Sequence, residues 1–295
     1  MRLILNPVPA RQGQRWVAQG WEVFRHSPLS YSALLATYLV AWMVLSLVGV
    51  IGSALMLAAL PLLSLVFMVA VHNGLQKRPV GLSVWAQPFK LNRQRTQAQI
   101  QLALLYLLAT VLLMLLAHAV DGGALDQLQD AMAAAGKGGE ASSRAAEAAM
   151  QAAVSDPAFL WGVAFRLIGA TLISIPFWHA PALVHWGGHG PLKALFSSVM
   201  GIWTNRAAFV VNGLVWIAVL LAASMVLAIL MMLLGVPAIG SALLMPFVLL
   251  MSTVFYCGLY FTFVDCFRFV ADEPTSNTPP DATDERGPAL PLDGQ

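Results

Sequence analysis

The chain has 295 residues, 59% of them hydrophobic and only 10% charged, whereas an ordinary soluble domain runs near ~45–50% apolar and ~25% charged. That balance excludes a single water-soluble core, which could not hide so much apolar side chain. The net charge of +2 says little by itself, because in a membrane protein the placement of the basic residues carries the information.

Residues 1–28 hold Asn6, Pro7, Pro9, Gln12, Gln14 and four arginines, with no compact apolar stretch ending in a small-residue cleavage site. No cleavable export signal is expected, and the first span should stay as an anchor. Between Arg25 and Lys77 there is no Asp, Glu, Lys or Arg. One helix of that length would overshoot the bilayer, which needs about 20 apolar residues per crossing, so the stretch must fold back once. The turn is placed at GVIGS, residues 49–53, between spans at 31–50 and 53–73. The basic residues from Lys77 to Arg95 read as topology determinants touching anionic lipid rather than as a nucleic-acid site. A third span follows at 100–120.

Residues 121–158 form an alanine-rich connection, expected as two short helices broken at 136–139 and reading either as a small cap over the hairpins or as a mobile insertion. Asp156 and Pro157 make an N-cap and first-turn pair for span four, 159–178. Arg166 lies about 10 Å into that span at 1.5 Å per residue, and is the one charge placed within a span. Intramembrane charge costs roughly 2.5–3.5 kcal/mol, so such a residue suggests function. Two readings stay open: the side chain snorkels outward or caps a carbonyl, or it holds an anionic substrate or lipid headgroup.

The most individual stretch is PFWHAPALVHWGGHGPL, residues 176–192, which places His179, His185 and His189 with Trp178 and Trp186 at the next boundary. Imidazoles are common metal ligands, and these three histidines are candidate ligand-binding residues. No Cys, Asp or Glu accompanies them and two glycines separate His185 from His189, so a histidine–tryptophan elbow at the interface is the alternative to a metal site, and no metal or other cofactor is assigned. Spans five and six are placed at 207–234 and 238–263. Cys257 and Cys266 fall on opposite sides of the last helix, which disfavours a disulfide. Residues 270–295, rich in proline and carboxylates, are expected to be a disordered cytoplasmic tail. Tyr31, Trp42, Tyr106, Trp161, Trp178, Trp216 and Tyr256 fall mostly near span ends, where rings anchor at the lipid–water boundary.

With both ends inside, 13 of the 16 Lys and Arg residues fall on the cytoplasmic side, while the 121–158 connection carries six acids and faces outward. Short segments before spans one, three and five look alike: QRWVAQGWEVFRHSP, SVWAQPFKLNR and PLKALFSSVMGIWTNR. In the last, Leu192, Leu195, Phe196, Val199 and Trp203 share one helical face, with Lys193, Ser197 and Ser198 opposite, the pattern of a helix lying in the interface plane. Three copies of interfacial helix plus hairpin are one reading; chance self-similarity of apolar sequence is the other. The fold class expected is therefore all-α, a polytopic helical membrane bundle of about six transmembrane helices with short interfacial helices, over residues 1–269.

No GxSxG, HExxH, Walker A or dinucleotide loop occurs, and no acid sits centrally in a span, which disfavours an enzyme and a cation-coupled pump. GWEVFRHSPL near the start, and FWHAPALVHW followed by KALFSSV, resemble an uncharacterised family of proteobacterial six-span inner-membrane proteins over most of residues 1–269. The resemblance implies membrane location and span count but no activity, substrate or catalytic residue. The leading expectation is a non-enzymatic membrane scaffold or envelope-associated component, with membrane lipids and other envelope proteins as partners and no nucleic acid. The alternative is a carrier or lipid-handling protein in which Arg166 meets an anionic small molecule or headgroup.

Overall fold

The computed structural model describes residues 2–135, 139–234 and 237–270, and among them the chain is almost entirely helical. Helix α1 (Gln12–His26) buries Gly13, Trp16, Val17, Gly20 and Phe24, an i, i+3, i+4, i+7, i+11 stripe. The stripe packs against α11 (Arg206–Leu234) and α12 (Pro237–Cys266). A Cβ on Gly13 would lie 2.6 Å from the Asn212 amide nitrogen, and one on Gly20 would lie 2.9 Å from the Val254 carbonyl. The two glycines, two turns apart, let the backbones touch, as small residues do between membrane helices. The segment before span one thus turns its apolar side to the bundle rather than to lipid.

Pro28 opens α2 (Pro28–Ser46), and a turn with Gly49 at φ +74° leads to α3 (Val50–Ala58) and α4 (Leu60–Leu75). The predicted second span is in fact this pair, bent by 42°. Pro61 at the start of α4 supplies no N–H and crowds the carbonyl of Leu57, so the helix breaks at Ala59. A 3-10 helix (Leu82–Phe89), at the second of the three look-alike segments, leads to α5 (Arg93–Asp121), whose N-cap Asn92 accepts from the Arg95 amide at 2.8 Å.

The outer connection folds as α6 (Ala124–Ala135) and α7 (Glu140–Ser155), and Asp156 caps α8 (Pro157–Phe177) through the Ala158 amide. Short α9 (Ala180–His185) and α10 (Pro191–Thr204) precede α11. Among the described residues, five helices are long and apolar enough to cross a membrane, and the bent α3–α4 pair makes a sixth if it crosses as one. On α11, Leu214, Leu221, Met225 and Val226 all stand at least 60% exposed, a surface that only acyl chains would cover favourably. The molecule is an all-α, multi-pass membrane bundle.

The two ends of the described chain meet. Strand β1 (Arg2–Leu5) pairs antiparallel with β2 (Phe267–Val270), Ile4 opposite Arg268. Just inside, Asp265 holds the N-terminal segment: its carboxylate accepts from Gln12 Nε2 at 2.6 Å and Trp16 Nε1 at 2.7 Å, and its carbonyl accepts from Asn6 Nδ2 at 2.7 Å. The expected disordered tail beyond residue 270 lies outside the described residues. Both cysteines are free and buried. Several expected boundary aromatics are instead interior: Tyr31 and Trp216 are buried, and Tyr106, Trp178 and Tyr256 line a cavity of about 270 Å³ between α4, α5, α8 and α12. Trp161 alone of these seven stands largely exposed, at 70%.

Candidate functional site: a paired arginine and a broken histidine elbow

Arg166, one face of α8 toward α5, is not a free charge. Its Nη1 donates to Asp121 Oδ2 at 2.6 Å, with the Asp121 side chain fully buried and that of Arg166 13% exposed. Asp121 is the last residue of α5, and its carboxylate also accepts from the amides of Gly123, at 3.0 Å, and Leu125, at 3.4 Å. Gly162 makes room, since a Cβ there would lie 3.0 Å from Arg166 Nη1. In the structure Arg166 has a partner that neither reading made from sequence considered: an internal ion pair with Asp121 that fastens α5 to α8. Sequence reasoning counted Asp121 among the outer-loop acids; its position directly after the third apolar run was the available signal.

The stretch from Pro176 to Pro191 folds around a helix break. Pro181 has no N–H to give to Phe177, so the hydrogen-bond ladder fails between α8 and α9. Ser198 of α10 repairs it. Its hydroxyl accepts from the His179 amide at 3.0 Å and donates to the Ile175 carbonyl at 2.9 Å, standing between two groups that an unbroken helix would join directly. From α5, Gln99 Nε2 donates to the Pro181 carbonyl and Arg95 Nη1 to the His185 carbonyl, each at 2.8 Å and one helical turn apart. Gly188, at φ +64°, then turns the chain out of α9.

The three histidines part company here. His179 is wholly buried among Phe209, Phe263 and Phe267, with Nε2 3.1 Å from the Thr262 hydroxyl and no partner at Nδ1 among the described residues. His185 is buried with its ring edge-on to Trp186. His189 lies partly buried in a recess of about 270 Å³ with Leu3, Lys193 and Phe196, where burial first and the Lys193 ammonium second push its imidazole below the usual value. Among the described residues, no three His, Cys, Asp or Glu side chains are grouped as a metal ion would require. A fourth histidine that sequence reasoning passed over, His72 of α4, meets the Tyr260 hydroxyl at 3.0 Å and Trp186 edge-on. It is the single ionisable residue in the second predicted span, which was the signal.

On α10 the buried face is the small one, Ala194, Ser198 and Gly201, while Leu192, Phe196 and Trp203 stand 66–75% exposed. Ser198 therefore does not share a solvent face with Lys193, as its spacing suggested. The large apolar side chains point away from the protein.

These features define a multi-pass helical protein of the membrane in which several buried polar side chains join one helix to another. The chain is 33% identical over 284 residues to a probable inner membrane protein of Burkholderia thailandensis, an alignment covering 95% of this chain and 99% of that protein. It belongs to the same family of inner-membrane proteins. No family model and no solved structure matches it.

Proposed function

We propose that the chain is a non-enzymatic scaffold of the inner membrane that organises or assists other envelope components. The observation that carries this reading is α10: it rests on the bundle through small residues and turns Leu192, Phe196 and Trp203 outward, a ready contact face at the ends of the spans. The residues most suggestive of chemistry support the same reading, because Arg166 Nη1 is paired with Asp121 and His179 Nε2 with Thr262. Pairing of Arg2–Leu5 with Phe267–Val270 supports an even number of crossings between these two segments, and the distribution of basic residues supports the cytoplasm as their side.

The test is photo-crosslinking in intact cells with a benzophenone side chain at position 196 or 203. A discrete envelope-protein adduct, absent with the same probe at the lipid-facing position 221, is the expected result. Crosslinks to lipid alone at all three positions would remove the scaffold reading. A reporter fused at residue 90 should read cytoplasmic and one at residue 150 periplasmic; the reverse pattern would overturn the orientation.

A further inference from the structure

A recess of about 480 Å³ opens between α1, the start of α2, the end of α4 and α12. Its walls are apolar, from Val23, Tyr31, Leu75 and Phe261, and its titratable residues besides Tyr31 are Glu22 and His26 on α1 and Lys77 just past α4. Glu22 and Lys77 are exposed, and among the described residues neither makes an ion pair. Gln19 lines the same recess one turn before Glu22, and its Oε1 is buried with no donor among the described residues. An unsatisfied buried acceptor is costly, so a group that brings N–H donors within reach of a small rotation of that side chain is favoured. Gly74 lets the Tyr31 hydroxyl lie close against α4 at the edge of the recess, because a Cβ there would lie 2.6 Å from it.

An acid and an amide oxygen on one wall, a lysine on the other and an apolar floor between them complement an amphiphile that carries an ammonium and an anion side by side. The recess sits where two membrane helices, α2 and α4, end, which is the level of lipid headgroups. A primary ammonium has hydrogens to give to Glu22 and Gln19; a quaternary one has none. A purely anionic headgroup would satisfy Lys77 and leave Glu22 repelling it.

We propose that this recess binds the headgroup of a phospholipid carrying phosphate and a primary ammonium, Lys77 taking the phosphate and Glu22 with Gln19 the ammonium. The proposal is independent of the scaffold reading, since a lipid held here needs no protein partner. It adds a specific site and headgroup chemistry to the general expectation that the protein contacts lipid.

Native mass spectrometry of the full chain, purified in detergent and supplied with phosphatidylethanolamine, phosphatidylcholine or phosphatidylglycerol of matched acyl chains, tests it. Phosphatidylethanolamine should be retained about fivefold over each of the others, the scale of one partly exposed charge pair. Glu22→Gln and Lys77→Gln should each abolish that preference, while Lys193→Gln, a basic residue outside the recess, should leave it intact. All three positions are exposed, and an unchanged helical circular-dichroism signal confirms folding of each variant. Equal retention of the three lipids, a preference for phosphatidylglycerol, or a preference that survives both recess variants would overturn the proposal. Displacement of the lipid by free phosphoethanolamine at equal concentration would overturn its assignment to a lipid and leave a site for a soluble zwitterion.

Discussion

Replacing Asp121 with alanine strips Arg166 of its partner while leaving the guanidinium in the α5–α8 contact, where its Nε already finds no acceptor among the described residues. Breaking a buried pair by removing one member costs about 3–5 kcal/mol, because the surviving charge has neither water nor a counterion. The 13% exposure of Arg166 and its place near the end of the spans bring that figure toward the lower bound, about 3 kcal/mol. Arg166→Leu should cost less, about 1–3 kcal/mol, because the Asp121 carboxylate keeps the amides of Gly123 and Leu125 and can take up a proton. The informative variant is the double one. With both charges gone and leucine filling the arginine's place, the desolvation cost vanishes together with the attraction, so Asp121→Ala/Arg166→Leu should lose less than the sum of the single variants, about 1–3 kcal/mol, mainly for the Gly123 and Leu125 amides left without their acceptor. Reversible unfolding in bicelles, followed by tryptophan fluorescence, measures all four corners of the cycle. A double variant whose loss equals the sum of the single losses would mean that the two residues act independently, and the ion pair would not be what joins α5 to α8.

Ser198→Ala should cost about 1–3 kcal/mol in the same assay, because it leaves the His179 amide and the Ile175 carbonyl facing each other across the helix break without the hydroxyl that joins them; Ser198→Thr, which keeps the oxygen, should recover part of that loss, and equal stability of the alanine variant and wild type would refute the repair. His189 should titrate below the ordinary histidine range by nuclear magnetic resonance, burial being the larger cause and Lys193 the smaller, so Lys193→Gln should raise its pKa part of the way back. A folded state that prefers the neutral ring gains its contribution above the ordinary histidine pKa and loses it as the pH falls through the lowered value; a downward shift in the Lys193→Gln variant would contradict the stated cause.

What sequence made legible, and what it hid, divides along a physical line. The long apolar runs marked the long helices, because lipid requires about 20 apolar residues whatever packs beside them: α5, α11 and α12 each contain the stretch expected of them, and α8 all but its last residue. The bend at Ala59 was readable in principle from Pro61, yet hydropathy is blind to it, since the residues on both sides of the break are equally apolar. Polar partners were the least legible part. Arg166 stands out in any window, but Asp121 is 45 residues away and reads as loop until α5 and α8 are laid together. His179, His185 and His189 read as one group because they are neighbours in sequence, whereas the break at Pro181 sends the first among phenylalanines and leaves its closest polar contacts to Thr262 and Ser198, on other helices.

The face of α10 shows the deeper reason. A hydrophobic stripe on a helix of a soluble protein marks the side that packs inward, because water drives it there. Next to a bilayer that inference inverts: lipid solvates leucine, phenylalanine and tryptophan as well as a protein interior does, so helices meet through the residues that allow close approach and polar repair. Ala194, Ser198 and Gly201, spaced i, i+4, i+7, are that face on α10, and Gly13 and Gly20 are its counterpart on α1. In this chain small and hydroxyl residues at helical spacing mark the contacts, and the large apolar stripe of α10 marks what the protein offers to its surroundings.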